Sequence, residues 1–394
     1  MKTETNAAIA LICRLLRTNS IPCVMSIGKG YLSMKSKYKP TTKTTYYDIK
    51  EDLLSYRDAW CYLVWSKRGS GKTYSALRFM VENDKKFMFM KRTIEDVKML
   101  CAGGTRKGIV FDVSPFVPLN RDFGWNIKPV PIVKGIAGFY LCNSSGDPFG
   151  SPIGYCCALS ASKDIKGFDM SDCDYIIFDE FIPRKHERIN RGEGEQLLDI
   201  YMTVRRDRMS RGRNELKLIC LANAMQVNNP VFQTLDVIDD AVQMDVVNEE
   251  FCYLEQKKIL LHKVPERYNQ EETQSGIELA MSGTEWAEMA FSGNFAYDDF
   301  TAVKHNRMKG YRPLCSYEYK RKTVYIYEKD GFYYATKAKA KVSKHYNLSR
   351  ENEQKKFYID FVSDLREEVI NDRFTFQEFT MYDLIVNYKK IFDL

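Results

Sequence analysis

The residues most suited to chemistry lie together in Ser66-Lys67-Arg68-Gly69-Ser70-Gly71-Lys72-Thr73. A phosphate-binding loop reads glycine, four variable residues, then Gly-Lys-[Ser/Thr]; here Ser66 stands where the opening glycine would be. Gly69 and Gly71 would let the backbone wrap a phosphate, with N–H groups and a helix N-terminus turned toward it. Lys72 would then reach the β and γ oxygens of ATP, and Thr73 would ligate Mg2+. The plainer alternative is a Gly-Ser-rich turn. An apolar strand before the loop (Cys61–Trp65) and a helix after it (Thr73–Glu82) favour the phosphate site.

Such a loop needs acids, and Tyr175-Ile176-Ile177-Phe178-Asp179-Glu180 supplies two at the end of an apolar strand. Asp179 is placed to hold the magnesium through water, and Glu180 to polarise the attacking water. A third apolar run, Leu216–Ala222, ends at Asn223, a polar residue in position to sense the γ-phosphate. Asparagine also commonly caps strands and turns. Between the two runs, Arg205, Arg206, Arg208, Arg211 and Arg213 crowd one short segment. That segment reads either as a solvated face or as an arginine finger reaching a neighbouring subunit.

Positioning these groups requires a sheet. Short apolar runs at Cys61–Trp65, Phe87–Lys91, Gly138–Asn143, Ile153–Ser160, Tyr175–Asp179 and Leu216–Ala222 alternate with amphipathic stretches, the pattern of an α/β domain. The expected organisation is a basic arm (1–45), a motor domain (46–250), a linker (251–308) with helical text at Gln270–Gly283, and a C-terminal domain (309–394). In the last, Thr323–Glu328 and Gly331–Thr336 read as a hairpin about Lys329-Asp330-Gly331. Helices are expected over Glu351–Asp372 and Phe376–Phe392.

At 394 residues with 44% apolar and 28% charged residues, the composition excludes disordered, collagenous and coiled-coil classes. No apolar run approaches the roughly 18 residues of a membrane span, and no secretory layout opens the chain, so the expected location is the cytoplasm, with no membrane partner. The 11 cysteines form no C-x-x-C pair and several fall in strand-like runs, reading as reduced core residues. Charge is uneven. Residues 1–50 carry +7 and residues 301–394 carry +6, around a near-neutral middle, which suits contact with a polyanion.

The text resembles the DNA-encapsidation ATPases of phi29-like tailed bacteriophages. The resemblance rests on Phe178-Asp179-Glu180-Phe181-Ile182 followed by Lys185, on Leu197-Leu198, Thr203-Val204, Arg206 and Arg208, and on Cys220-Leu221-Ala222-Asn223-Ala224 with Asn229-Pro230. Leu54-Ser55-Tyr56 precedes the loop, and Gly283-Thr284-Glu285 with Glu288-Met289 extends the match to about residue 295. It implies an additional-strand, catalytic-glutamate P-loop ATPase domain, a small helical linker and an α+β, ribonuclease-H-like C-terminal domain that is a vestigial nuclease. It also implies a homo-oligomeric ring of five subunits at the prohead portal in the host cytoplasm, acting on double-stranded viral DNA. In members with a structural packaging RNA, the ring docks on that RNA. By position, Ser66 to Thr73 form the ATP-binding loop, Thr73 and Asp179 the magnesium ligands, and Glu180 the base. Arg206 matches the finger acting in trans, and Lys166 and Lys185 match interface lysines. Two departures stand out: the longer basic arm, and Ser66, which bears on loop stiffness and leaves the phosphate contacts intact.

The alternative is a large terminase subunit that also cuts DNA with acids binding two metals. In Ser316–Thr336 the acids are Glu318, Glu328 and Asp330, two of them beside a turn, among many lysines. A basic, aromatic sheet of this kind fits nucleic-acid docking better than cleavage.

Overall fold

The computed structural model describes residues 46–394 except 107, 108, 185, 186, 188, 189, 191, 266–275, 285, 286, 288–294, 296 and 297. The basic arm and Lys185 therefore lie outside the described residues.

Strand β1 (Cys61–Ser66) is buried along its whole length, and its side chains alternate between two cores. Cys61, Leu63 and Trp65 enter one core, Tyr62 and Val64 the other. This is the mark of a sheet covered on both faces. The chain continues through β2 (Phe87–Lys91), a small hairpin of β3 (Gly104–Arg106) and β4 (Ile109–Phe111), then β5 (Ile127–Val133), β6 (Ile136–Cys142) and β7 (Pro148–Ala158). It follows with β8 (Tyr175–Asp179), β9 (Lys217–Asn223), β10 (Phe251–Leu254) and β11 (Ile259–Lys263). Among the described residues all of these except the β3–β4 pair form one nine-stranded sheet in the order β10-β11-β1-β9-β8-β2-β7-β6-β5. From β11 to β7 neighbouring strands run parallel, while β10, β6 and β5 are antiparallel additions.

The sheet departs from the sequence reading in two places. The segment from residue 251, expected to open a polar linker, supplies β10 and β11, so the motor sheet runs on to Lys263. A strand also forms at β5, where Pro129 and Pro131 discourage the assignment; it is tolerated as an edge strand, where missing N–H groups break no ladder. Of the expected helix Gln270–Gly283, residues 276–283 are described, and Gly276–Met281 is helical.

Helix α1 (Ile49–Ser55) packs beside α2 (Lys72–Glu82), which leaves the phosphate loop. Helix α3 (Glu193–Arg205) lies near α4 (Pro230–Leu235), and α5 (Ile238–Val247) follows. Gly194 is required where α3 meets α4: a Cβ there would sit 2.4 Å from the Pro230 carbonyl oxygen.

The C-terminal sheet is built from β12 (Arg312–Tyr319), β13 (Lys322–Lys329), β14 (Phe332–Thr336), β15 (His345–Asn347) and β16 (Phe374–Phe376), in the order β15-β12-β13-β14-β16. The expected hairpin turn is present, with Asp330 and Gly331 both at positive φ. The expected long helix becomes α6 (Glu351–Phe357), a wider turn over Tyr358–Val362, and α7 (Ser363–Ile370). The final expected helix divides into β16, α8 (Phe379–Val386) and α9 (Tyr388–Phe392). This sheet docks on the motor domain: Thr380 donates from its N–H and hydroxyl to Asp239 at 3.0 and 2.7 Å, and Lys322 reaches Asp236 at 2.6 Å.

Candidate active site

The parallel strands β1, β9 and β8 are adjacent, and each delivers a polar group at its C-terminal end. The chain leaves β1 through a loop in which Gly69 (φ 75°) and Gly71 (φ 90°) take left-handed conformations, and Gly71 caps α2. Together they line a cavity of about 210 Å³ with Gly69 to Tyr74, Asp179, Glu180, Ala222 and Asn223.

Lys72 lies almost wholly inside, 8% exposed, with its ammonium donating to Ser66 Oγ, to the Lys67 carbonyl at 3.1 Å, to Ser70 Oγ at 3.2 Å and to Asn223 Oδ1 at 3.3 Å. Burial pulls its pKa down to about 7, only partly opposed by the charge of Asp179. Ser66 has a definite role: its hydroxyl, 2.6 Å from Ser70 Oγ and fully buried, accepts from Lys72. Lys67 is half-buried and Arg68 exposed at the loop's outer edge.

Thr73 Oγ1 donates to Asp179 Oδ1 at 2.9 Å. These two oxygens are a hard-donor pair suited to Mg2+, and a hydroxyl facing a carboxylate across a strand-to-helix turn fits that ion. Glu180 adopts φ 59°, an unusual conformation for a residue with a long side chain. Its carboxylate accepts from Arg184 at 3.2 Å and faces Lys91 Nζ at 3.5 Å. Burial would raise its pKa, but Lys91 and Arg184 together outweigh that and hold it below the ordinary glutamate value. Lys91 also donates to Asp179 at 2.8 Å. Burial alone would lower its own pKa, yet the two carboxylates carry it above the usual lysine value.

Sequence reasoning brought together Lys72, Thr73, Asp179, Glu180 and Asn223, and the structure converges all five. It missed Lys91, Arg92, Arg184 and Glu193. Lys91 ends β2, the neighbour of β8, and Arg92 follows it, so only the strand order reveals them. The arginine cluster divides. Arg208 is buried and paired with Asp174 and the Cys173 carbonyl, and Arg213 bonds the Ser171 and Asp172 carbonyls at 2.7 Å. Arg206, by contrast, is exposed at the C-cap of α3 with φ 32° and ψ −130°. Lys166 falls in the helix Ser162–Gly167.

In the C-terminal sheet, Glu318 pairs with Thr323 at one end of the β12–β13 hairpin and Glu328 with Arg312 at the other. Glu328 accepts from the Gly331 N–H at 3.1 Å, a turn contact. The tyrosines Tyr317, Tyr327 and Tyr334 are buried and Tyr319, Tyr325 and Tyr333 half-buried, whereas Lys337, Lys339, Lys341 and Lys344 are exposed.

Known proteins are similar to this chain in sequence and in fold. A DNA packaging protein of Bacillus phage B103 is 25% identical over 275 residues, covering 68% of this chain and 74% of the relative. One from Bacillus phage phi29 is 28% identical over 152 residues, covering 38% of this chain and 42% of the relative. The fold is similar to that in the bacteriophage Phi-29 viral genome packaging motor assembly (TM-score 0.58, 19% identity, 89% of this chain and 98% of that one). It is also similar to the Phi-28 gp11 DNA packaging motor (TM-score 0.52, 18% identity, 89% and 98%). A family model described as podovirus DNA encapsidation protein (Gp16) matches residues 149–375, from β7 through Glu180, α3 and Asn223 to β16, and the chain belongs to that family of viral DNA-packaging proteins.

Proposed function

We propose that this chain is an ATP-hydrolysing motor that drives double-stranded viral DNA into a preformed prohead. The convergence of Lys72, Thr73, Asp179, Glu180 and Asn223 at the ends of three adjacent parallel strands carries this reading. The loop N–H groups and Lys72 hold the triphosphate, and Lys72 reaches its β and γ oxygens. Thr73 and Asp179 hold Mg2+, which when bound neutralises phosphate charge. Glu180, held ionised by Lys91 and Arg184, accepts hydrogen bonds from water and orients it toward the γ-phosphorus. Asn223, bonded to Lys72, is the group that registers loss of the γ-phosphate.

The position of β9 between β1 and β8 supports the additional-strand, catalytic-glutamate class. Exposure of Arg206 at a helix end supports its action in trans, in a ring of five subunits at the portal vertex in the host cytoplasm. For Lys166 and Lys185 the support is their match to family interface lysines alone. The antiparallel β12-β13-β14 meander flanked by the parallel strands β15 and β16 supports a ribonuclease-H-like domain. Its exposed lysines support docking on DNA or on a packaging RNA, and the separation of Glu318 from Glu328 speaks for no cleavage. Measuring ATP hydrolysis by the full chain with and without proheads tests the proposal. Stimulation by proheads is expected, and equal rates in both would remove the packaging role.

A further inference from the structure

The main-chain conformation of Glu180 has to be held against its own preference, and a largely buried arginine braces it. Arg92 donates from one guanidinium nitrogen to the carbonyls of Glu180 at 2.9 Å and Phe181 at 3.1 Å. Its Nε donates to the Glu193 carboxylate at 2.9 and 3.2 Å, and its third nitrogen to Glu187 at 2.8 Å. The guanidinium is thus engaged on three sides, and its side chain is only 14% exposed. Glu193 is 3% exposed and is the first residue of α3. Burial and the neighbouring Glu187 push its pKa up while Arg92 pulls it down, with a net rise, so its ionised form depends on this partner.

We infer that Arg92 is a positioning residue that fixes Glu180 and, through Glu193 and the rod of α3, ties the state of a subunit's own site to the pose of its Arg206. The geometry is continuous. One end of α3 is joined through Arg92 to the backbone of Glu180, and the other end is capped by Arg206. Thirteen helical residues span about 20 Å with little bending, so a shift at Glu193 moves Arg206 as well. At that far end Arg206 occupies a backbone conformation few residues adopt, one that a small rotation of the last helical turn would change. The connection to Arg206 rests on the trans assignment proposed above; the hold on Glu180 does not.

The test uses the full chain and steady-state ATP hydrolysis. Arg92→Lys keeps the charge and loses the fork, and Glu193→Gln keeps the shape and loses the charge. Each is expected to lower kcat about 10- to 100-fold, the scale of a misplaced reacting group, with KM for ATP nearly unchanged because Lys72 and Thr73 are untouched. The double variant should be no slower than the worse single one, since both break the same brace. A purely structural role would instead lower the melting temperature and raise KM without this split in kcat, and would overturn the inference. Combining Arg92→Lys with Arg206→Ala then tests the rod. Non-multiplying losses support it, and losses that multiply leave Arg92 acting on Glu180 alone and overturn the coupling. If Arg206→Ala by itself leaves hydrolysis unchanged, the trans assignment has failed, while the Arg92–Glu193 pair still reports on the brace. Should Arg92→Lys fail to fold, Glu193→Gln measured by the same split in kcat and KM decides the question.

Discussion

Lys72 is an ammonium placed where water cannot solvate it, and the consequence is a pH dependence. With a pKa of about 7, it is largely neutral at pH 8 and largely charged at pH 6. A bound triphosphate favours the charged form, so nucleotide binding should take up nearly one proton at pH 8 and few at pH 6. Calorimetry in two buffers of different ionisation enthalpy reads this directly, and Lys72→Arg, charged throughout, should abolish the uptake. The same shift gives a sign for stability. Between about pH 7 and the ordinary lysine value the folded chain binds fewer protons than the unfolded one, so this group's contribution to stability rises with pH across that window. Glu180 behaves differently because its carboxylate is already ionised. Glu180→Gln should leave nucleotide binding near normal and cut hydrolysis by about 10²-fold or more. Hydrolysis that persists in that variant would move the role to another group.

At the scale of elements, the join between α3 and α4 is the most exacting contact near the site. Gly194→Ala would push a methyl group against the Pro230 carbonyl, which cannot rotate away, and the two helices must separate. A loss of about 1–3 kcal/mol is expected in denaturant unfolding, and an unchanged midpoint would mean that α4 yields freely. At the other end of α3, Arg206→Ala should cost about 10³-fold in hydrolysis if the finger is the main stabiliser of the transition state. Mixing Arg206→Ala with Glu180→Gln subunits should restore some activity, and a mixture no better than its parts would end the trans assignment.

The strands beneath these contacts were largely legible from sequence. β2 and β8 match their expected bounds, and β1 and β9 differ at most by one residue at an end. Continuous apolar runs mark buried parallel strands well. β10 and β11 were not legible, because acids flank Phe251–Leu254 on both sides and Ile259-Leu260-Leu261 is a short apolar run between Lys258 and His262. His262 is instead buried against Asp52 at 2.7 Å and stacked on Phe251, a pairing that only the fold creates. For the same reason Lys91 and Arg92 carried no signal. A charge at a strand end acquires meaning only when the neighbouring strand is known.

Across the whole molecule, charge and aromatic side chains are segregated in the C-terminal sheet. Tyr317, Tyr327 and Tyr334 pack inward and Tyr319, Tyr325 and Tyr333 stay half-buried, so a polyanion would meet the exposed lysines first. Replacing the exposed Lys339 and Lys341 by glutamate should weaken binding of random-sequence duplex DNA by the full chain. The slope of log affinity against log salt should fall by about 0.9 for each phosphate that is no longer neutralised. Fluorescence anisotropy across a salt series measures this, and an unaltered slope would leave these lysines in solvent.

The strand order also sets a schedule for synthesis. β1, apolar and buried throughout, leaves the ribosome early, yet its two partners are β9, from residue 217, and β11, ending at Lys263. At roughly 5–20 residues per second, the strand that carries the phosphate loop waits about 10–40 s for the second of them. During that interval Cys61-Tyr62-Leu63-Val64-Trp65 is an unpaired, aggregation-prone segment of the nascent chain. Stalled chains ending before β11 should therefore be cut by protease near β1 and recruit chaperones, whereas chains long enough to expose Lys263 beyond the exit tunnel should become resistant there.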